Sequence, residues 1–226
     1  KPTSTALVVL ALTASSFAQV TRQGDGYLMR MAFKKGAKVN YSISSVMGAA
    51  QAKGGSQPSI KIPLKTEVLS VSKGVGTVKY TIGPVQGQGQ ANEQTIQVDS
   101  RARPVGGKNV AQLANLGSIA LPEKPVRVGQ SWTTTMQMPT MMGTLDTKTT
   151  YKFQGLKSHP KGQIAVIAMT VTGKSAQMSV SGTGFMSLLA SDGSLVDLTV
   201  RQNMKTKGQG ESKGMDFSTT VNVIRQ

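Results

Sequence analysis

Leu121-Pro122-Glu123-Lys124-Pro125-Val126-Arg127-Val128-Gly129-Gln130-Ser131-Trp132, continuing as Thr133-Thr134-Thr135-Met136-Gln137-Met138, is the stretch whose reading decides the fold. Pro122 and Pro125 fix their own φ and hold the residues before them extended, so the segment resists helix formation. Beyond Gly129, the residues Trp132, Thr134, Met136 and Met138 alternate with Ser131, Thr133, Thr135 and Gln137. A period of two is that of a half-buried strand, and it places the only tryptophan on the inner face. The segment reads as a rigid connector, a glycine turn and a strand.

Working outward, the same period recurs on both sides. Tyr27, Met29, Met31 and Phe33 alternate with Leu28, Arg30, Ala32 and Lys34. Lys35-Gly36-Ala37 then turns the chain into the alternation Val39, Tyr41, Ile43, which together predict a hairpin. Residues 48–58 have loop composition, and Ile60, Ile62 and Leu64 alternate with Lys61, Pro63 and Lys65. Pro63 cannot donate to a ladder and so predicts an edge or outward position. The pattern continues to a turn at residues 72–74, returns through Val78, Tyr80 and Ile82, and gives a short strand at 95–98. Residues 109–117 are the one helical candidate, capped by Asn109 and ended by Gly117.

Downstream of Trp132, Leu145, Thr147, Thr149, Tyr151 and Phe153 alternate with Asp146, Lys148, Thr150, Lys152 and Gln154. Residues 164–171 are apolar on both faces and predict an internal strand. Asp192-Gly193 marks a hairpin between residues 177–189 and 195–202, and residues 217–224 form a closing strand. Laying the halves together suggests an internal repeat, Tyr41 matching Trp132 and Val78-Tyr80-Ile82 matching Ile164-Val166-Ala168. The expected fold is therefore all-β and mainly antiparallel. Two related sheet units (19–120 and 121–226) would share one core as a curved sheet, half-barrel or open sandwich, with one short helix.

Lys35-Gly36-Ala37-Lys38-Val39-Asn40-Tyr41 and the 121–132 run resemble the "kGxxxxY" turn and "lPxkpVxvGdsW" signature of a bacterial family of exported all-β proteins of unknown function. Gln130 stands where that family's pattern has an acid. Gly182-Thr183-Gly184-Phe185, before Asp192-Gly193, also looks familial. The resemblance runs from residue 27 to the end; it implies a curved antiparallel sheet and no known activity.

Composition narrows the function classes. Lys and Arg number 26 against 10 Asp and Glu, a net charge of +16 that favours anionic partners. With no cysteine, disulfides, thiolate metal sites and Cys nucleophiles are excluded. Residues 1–18 read as an export signal: basic Lys1, the apolar run 6–14, and Ser16-Phe17-Ala18 as a small-x-small cleavage site. The run is shorter than the ~20 residues of a membrane-spanning helix. An exported protein, periplasmic or extracellular, with no transmembrane span in its mature chain, is expected.

Candidate chemistry is thin. His159 is the single histidine and sits in a turn, leaving no triad or zinc site. Met136, Met138, Met141 and Met142 offer thioethers to Cu(I), but their shared face with Trp132 favours packing. Asp146, Asp192 and Asp197 show no pairing of the kind glycoside hydrolysis needs. Aromatics, at 4%, are too few to interleave with the basic residues as nucleic-acid binding requires. No catalytic residue, metal or cofactor is expected. The leading expectation is a non-enzymatic envelope protein that binds an apolar or amphipathic ligand, a lipid for example, on a concave face. Tyr41, Trp132, Met136, Met138, Tyr151 and Phe153 would line that face, although ordinary core is the stronger reading of the same six residues. The alternative is an interaction protein docking on anionic envelope material through Lys61, Lys65, Lys148 and Lys152.

Overall fold

The computed structural model describes residues 19–49, 59–84, 89–105, 119–140, 143–207 and 216–226. Residues 1–18, read above as an export signal, the helical candidate at 109–117, and Met141 and Met142 lie outside the described residues. Among the described residues there is no helix, and so none long and apolar enough to cross a membrane.

Among the described residues, twelve strands make up the fold. They are β1 (Val20–Gln23), β2 (Gly26–Met29), β3 (Lys38–Ala49), β4 (Ser59–Ser72), β5 (Val75–Ile82) and β6 (Asn92–Val98), then β7 (Ser131–Thr140), β8 (Gly143–His159), β9 (Gly162–Lys174), β10 (Met178–Leu189), β11 (Leu195–Thr206) and β12 (Asp216–Arg225). β1 and β2 form a separate hairpin. The other ten make one antiparallel sheet, β6-β5-β4-β3-β12-β11-β10-β9-β8-β7, which curves without closing into a barrel. Two meanders, β3 to β6 and β7 to β12, are thus joined where β3 pairs with β12, from Tyr41↔Arg225 to Ala49↔Phe217. Bulges interrupt the ladders between Ser187 and Leu188, between Phe153 and Gly155, and between Val68 and Ser70. Each extra residue bends its strand and increases the local twist.

One face of the sheet is covered by its own chain. The β1–β2 hairpin and the connector residues 119–130 pack Val20, Met29, Leu121 and Val126 onto Tyr151, Phe153, Ile167, Met186 and Leu198 of the sheet. Tyr27 meets Phe153 edge to face, with ring centroids 5.4 Å apart. The Arg30 guanidinium fastens cover to cover, donating to the carbonyls of Pro122 and Glu123 at 2.7 Å each. Arg101 donates to the Leu121 carbonyl, and the Leu121 N–H returns a bond to the Arg101 carbonyl. A smaller apolar cluster, Ile164, Leu189, Val196 and Val166, occupies the opposite, outer face.

Two sequence readings are corrected. The strand at residues 27–33 does not form a hairpin with 39–43: β2 pairs with β1, and β3 pairs with β4 and β12. After Met29 the backbone leaves strand geometry because its partners lie elsewhere: Arg30, Met31 and Ala32 donate to the carbonyls of Gln19, Ser100 and Asp192. Gly193 accommodates that crossing, since it holds φ +70° and any Cβ there would overlap the Arg30 carbonyl. Secondly, Ile164 and Val166 face outward while Val78, Tyr80 and Ile82 face inward, so those segments are out of phase as a repeat. Pro63 is an informative case. It lies in β4 opposite Ser42, just past the end of the β4–β5 register at Leu64↔Ile82. Its carbonyl accepts from Gly83 there. In a strand, a residue's N–H and C=O point to the same side, so its missing donor faces the place where β5 runs out.

Phe153 has no exposed surface and lies under Tyr27 at the meeting of sheet and cover. Phe153→Ala is expected to destabilise the fold by about 3–5 kcal/mol. Phe185→Ala, at a position 56% exposed on the outer face, should shift the urea midpoint little. Equilibrium urea unfolding of the two variants measures the difference.

Candidate functional site

Between the first meander and its cover lies an apolar cavity of 210 Å³. Its floor is built by alternation along successive strands: Tyr41 and Ile43 from β3, Leu64 and Thr66 from β4, Val78 and Tyr80 from β5, Ile96 and Val98 from β6. Leu198 and Val223 extend that floor into the second meander. The roof comes from the cover, through Met31, Phe33, Ile119 and Leu121. Phe33 can lie flat on β5 because residue 76 is glycine; a methyl group there would come within 2.5 Å of the ring. At the rim, Gly193 and Leu195 adjoin a polar chain. Arg225 donates to Ser194 Oγ at 2.7 Å, and Ser194 in turn donates to Asp192 Oδ1 through its hydroxyl and its backbone N–H.

Two phenols stand in this mostly apolar lining, beside a Thr66 hydroxyl that donates to the Val39 carbonyl. Neither the Tyr41 nor the Tyr80 hydroxyl has a hydrogen-bond partner among the described residues. Burial pushes both up to about 12. At Tyr41 the nearby Arg225 opposes the rise, while Tyr80 and Asp192 add to it. Tyr151 is raised by burial too, but its hydroxyl bonds with Thr134, Thr149 and the Ala120 backbone moderate the effect.

The residues singled out from the sequence separate into distinct places. Tyr41 lines the cavity. Tyr151 (1% exposed) and Phe153 (0%) are instead sealed in the core. Trp132 stacks on Tyr151 with centroids 5.3 Å apart and donates through Nε1 to the Ala120 carbonyl at 2.7 Å. Met136 borders a wider, open depression of 680 Å³ on the far part of the sheet, with Thr135, Gln137, Asp146, Lys148 and Lys174. The side chain of Met138 lies outside what is described; its backbone pairs with Leu145. Lys61, Lys65, Lys148 and Lys152 are all exposed. β4 and β8 are six strand spacings apart, roughly 29 Å along the sheet, so the lysines form two outer patches. His159 sits at the β8–β9 turn, its Nδ1 accepting from the Lys161 N–H. Asp146 accepts from Gln137 and Asp197 from Ser187.

Sequence reasoning missed most of the cavity. Leu64, Val78, Tyr80 and Ile96 carry the alternation that found their strands, but periodicity says only which face a residue takes. The signal that would have singled them out is the pairing of small Gly76 with Phe33, which needs the third dimension.

No protein-family model and no curated protein matches this chain. Among solved structures it is similar to the crystal structure of a Bacteroides fragilis protein with a YmcC-like fold, a protein inferred to be exported. The two share 10% sequence identity over 84% of this chain and 96% of that one, with a TM-score of 0.32.

The phenols give a pH prediction. A tyrosine whose folded pKa lies above its unfolded value of about 10 binds its proton more tightly in the native state. Its stabilising contribution is therefore complete below pH ~10 and is lost as pH rises through about 12. Absorbance titration at tyrosinate wavelengths should show Tyr41 and Tyr80 ionising late, together with alkaline unfolding. Removing both in Tyr41→Phe/Tyr80→Phe should flatten the stability loss over that window.

Proposed function

We propose that this chain is a non-enzymatic envelope protein, exported by its N-terminal segment, that holds an apolar or amphipathic ligand under its cover. The carrying observation is the 210 Å³ cavity lined almost entirely by aliphatic and aromatic groups. Native cores are packed to crystal-like density, with few voids larger than a water molecule. An apolar cavity of about 150 Å³ already suffices to bind benzene while staying dry. Filling such a space with an apolar group gains contacts and removes hydrocarbon surface from water. The basic–apolar–small order of residues 1–18 supports export. His159, Asp146 and Asp197 are held in separate local bonds, which favours binding over catalysis.

A second reading rests on the surface lysines. Lys61, Lys65, Lys148 and Lys152 are exposed and form no ion pair among the described residues. They are free to meet an anionic surface, and such docking would weaken with salt.

The cavity reading is tested with N-phenyl-1-naphthylamine, an uncharged probe that fluoresces in apolar surroundings. Val78→Trp places an indole in the cavity and is expected to weaken probe binding by about tenfold or more. Phe185→Ala, on the outer face, should leave it unchanged. Equal binding by both variants would place the probe elsewhere and refute the cavity reading.

A further inference from the structure

We propose that β7 is a docking edge, onto which an extended acidic segment of another protein adds as one more strand of the large sheet. β7 lies at the end of the strand order, paired on one side only, with β8. The Phe153 N–H donates to the Gln130 carbonyl, and this bond sets the phase of the β7–β8 ladder. In an antiparallel pair, residues alternate between bonding the partner strand and facing away from it. Trp132, Thr134 and Met136 therefore bond to β8, while Ser131, Thr133, Thr135 and Gln137 turn their N–H and C=O groups to the open edge. None of those edge groups has a partner among the described residues. Pro139 follows in the same phase, so its missing N–H takes nothing from β8.

Sheets ordinarily guard such edges with charges, bulges or covering chain. The opposite edge is guarded in this way: beyond β6 the chain folds back, Val98 bridging to Pro104 and Val105 donating to the Gln97 carbonyl. β7 instead runs ten residues, Ser131–Thr140, with no charged side chain and no bulge in its register with β8. A regular, uncharged edge suits strand addition, in which main-chain hydrogen bonds give affinity and alternate side chains give specificity. This edge lies away from the cavity of the first meander, and its use does not depend on what the cavity holds.

The adjoining outer face selects the incoming side chains. Lys152 and Lys148 of β8 stand directly across from Ser131 and Thr135, exposed and in no ion pair among the described residues. A strand added to β7 lies two spacings from them, roughly 10 Å, within the combined reach of a lysine and a glutamate. Thr135 and Lys148 also border the 680 Å³ depression, where Lys174 adds a second ammonium. The one carboxylate there, Asp146, already accepts from Gln137. Acids at alternate positions of the incoming strand complement this row. A second copy of this chain does not: its β7 offers no acid, and each copy carries a net charge of +16.

The probe is a fluorescein-labelled octapeptide of alternating glutamate and valine, titrated against the full chain by fluorescence anisotropy. Two relatives accompany it: a lysine–valine octapeptide, and the glutamate peptide N-methylated throughout, which keeps its charge but has no N–H to give a ladder. The glutamate peptide is expected to bind wild type at least about tenfold more tightly than either relative. Thr135→Pro removes an outward N–H and should weaken it about tenfold, with the melting temperature little changed. Lys148→Gln/Lys152→Gln should weaken it roughly three- to tenfold and flatten its loss of affinity with salt. The N-methylated peptide tests ladder formation on the wild-type chain, however Thr135→Pro folds. If either relative binds as tightly as the glutamate peptide, if no peptide binds wild type, or if a folded variant binds as wild type does, the proposal is overturned. A wild-type dimer that Thr135→Pro converts to monomer overturns it too, because a second copy then occupies the edge.

Discussion

The pairing of β3 with β12 joins residues far apart in the chain: Tyr41 to Arg225 is a separation of 225 − 41 = 184, and Ala49 to Phe217 one of 217 − 49 = 168. Every other neighbouring pair in the large sheet is consecutive in sequence. Without this one ladder, the sheet would be a four-stranded meander and a six-stranded meander, each with an unpaired long edge. Closing so long a loop costs chain entropy before any contact is gained. What fixes its register is burial: a slip of one residue would turn Tyr41 and Ile43 of β3, or Val221 and Val223 of β12, to the solvent side.

That topology also dictates the cover. β6 and β7 are successive strands at opposite edges of ten, nine spacings or about 43 Å apart along the sheet. The chain between them has to span the width of the sheet, and its described part nearest β7 lies on the inner face, where Leu121, Pro122 and Val126 are buried. Prolines suit that route because an extended crossing segment has no ladder to donate to. The Arg30 guanidinium, bonded to two carbonyls of the connector, satisfies acceptors that the sheet cannot reach. A roof made of connector and hairpin, rather than of a second sheet, conforms unevenly to the floor beneath it. Over the second meander the fit is close, with Phe153 and Tyr151 sealed. Over the first it leaves a cavity.

How legible this was depended on what each signal encodes. Alternation located nearly every strand of the second meander, because there one face is wet and the other dry: Lys148 and Lys152 against Thr147, Tyr151 and Phe153. It failed from Met29 to Phe33, where the alternation persists but the backbone bonds to Gln19, Ser100 and Asp192 instead of to β3. Side-chain period reports burial; it does not report the ladder partner. Ile164 and Val166 misled for a related reason, since an apolar cluster on the outer face imitates a core. For the site, Tyr41 was identifiable as inward and aromatic, but so were Tyr151 and Phe153. Only the position of the cover separates a residue that lines a space from one that fills it, and that is set by contacts about a hundred residues apart.

Trp132 ties these layers together in a way that has an optical consequence. Its indole lies on β7 of the sheet, its ring on Tyr151, yet its N–H is held by Ala120 of the connector. The chain's one tryptophan therefore straddles the seam between roof and floor. Any lifting of the roof, whether to admit a guest or as the first stage of unfolding, strips that indole of its carbonyl partner and admits water to it. The molecule is, in effect, fitted with its own gauge of how firmly it is shut.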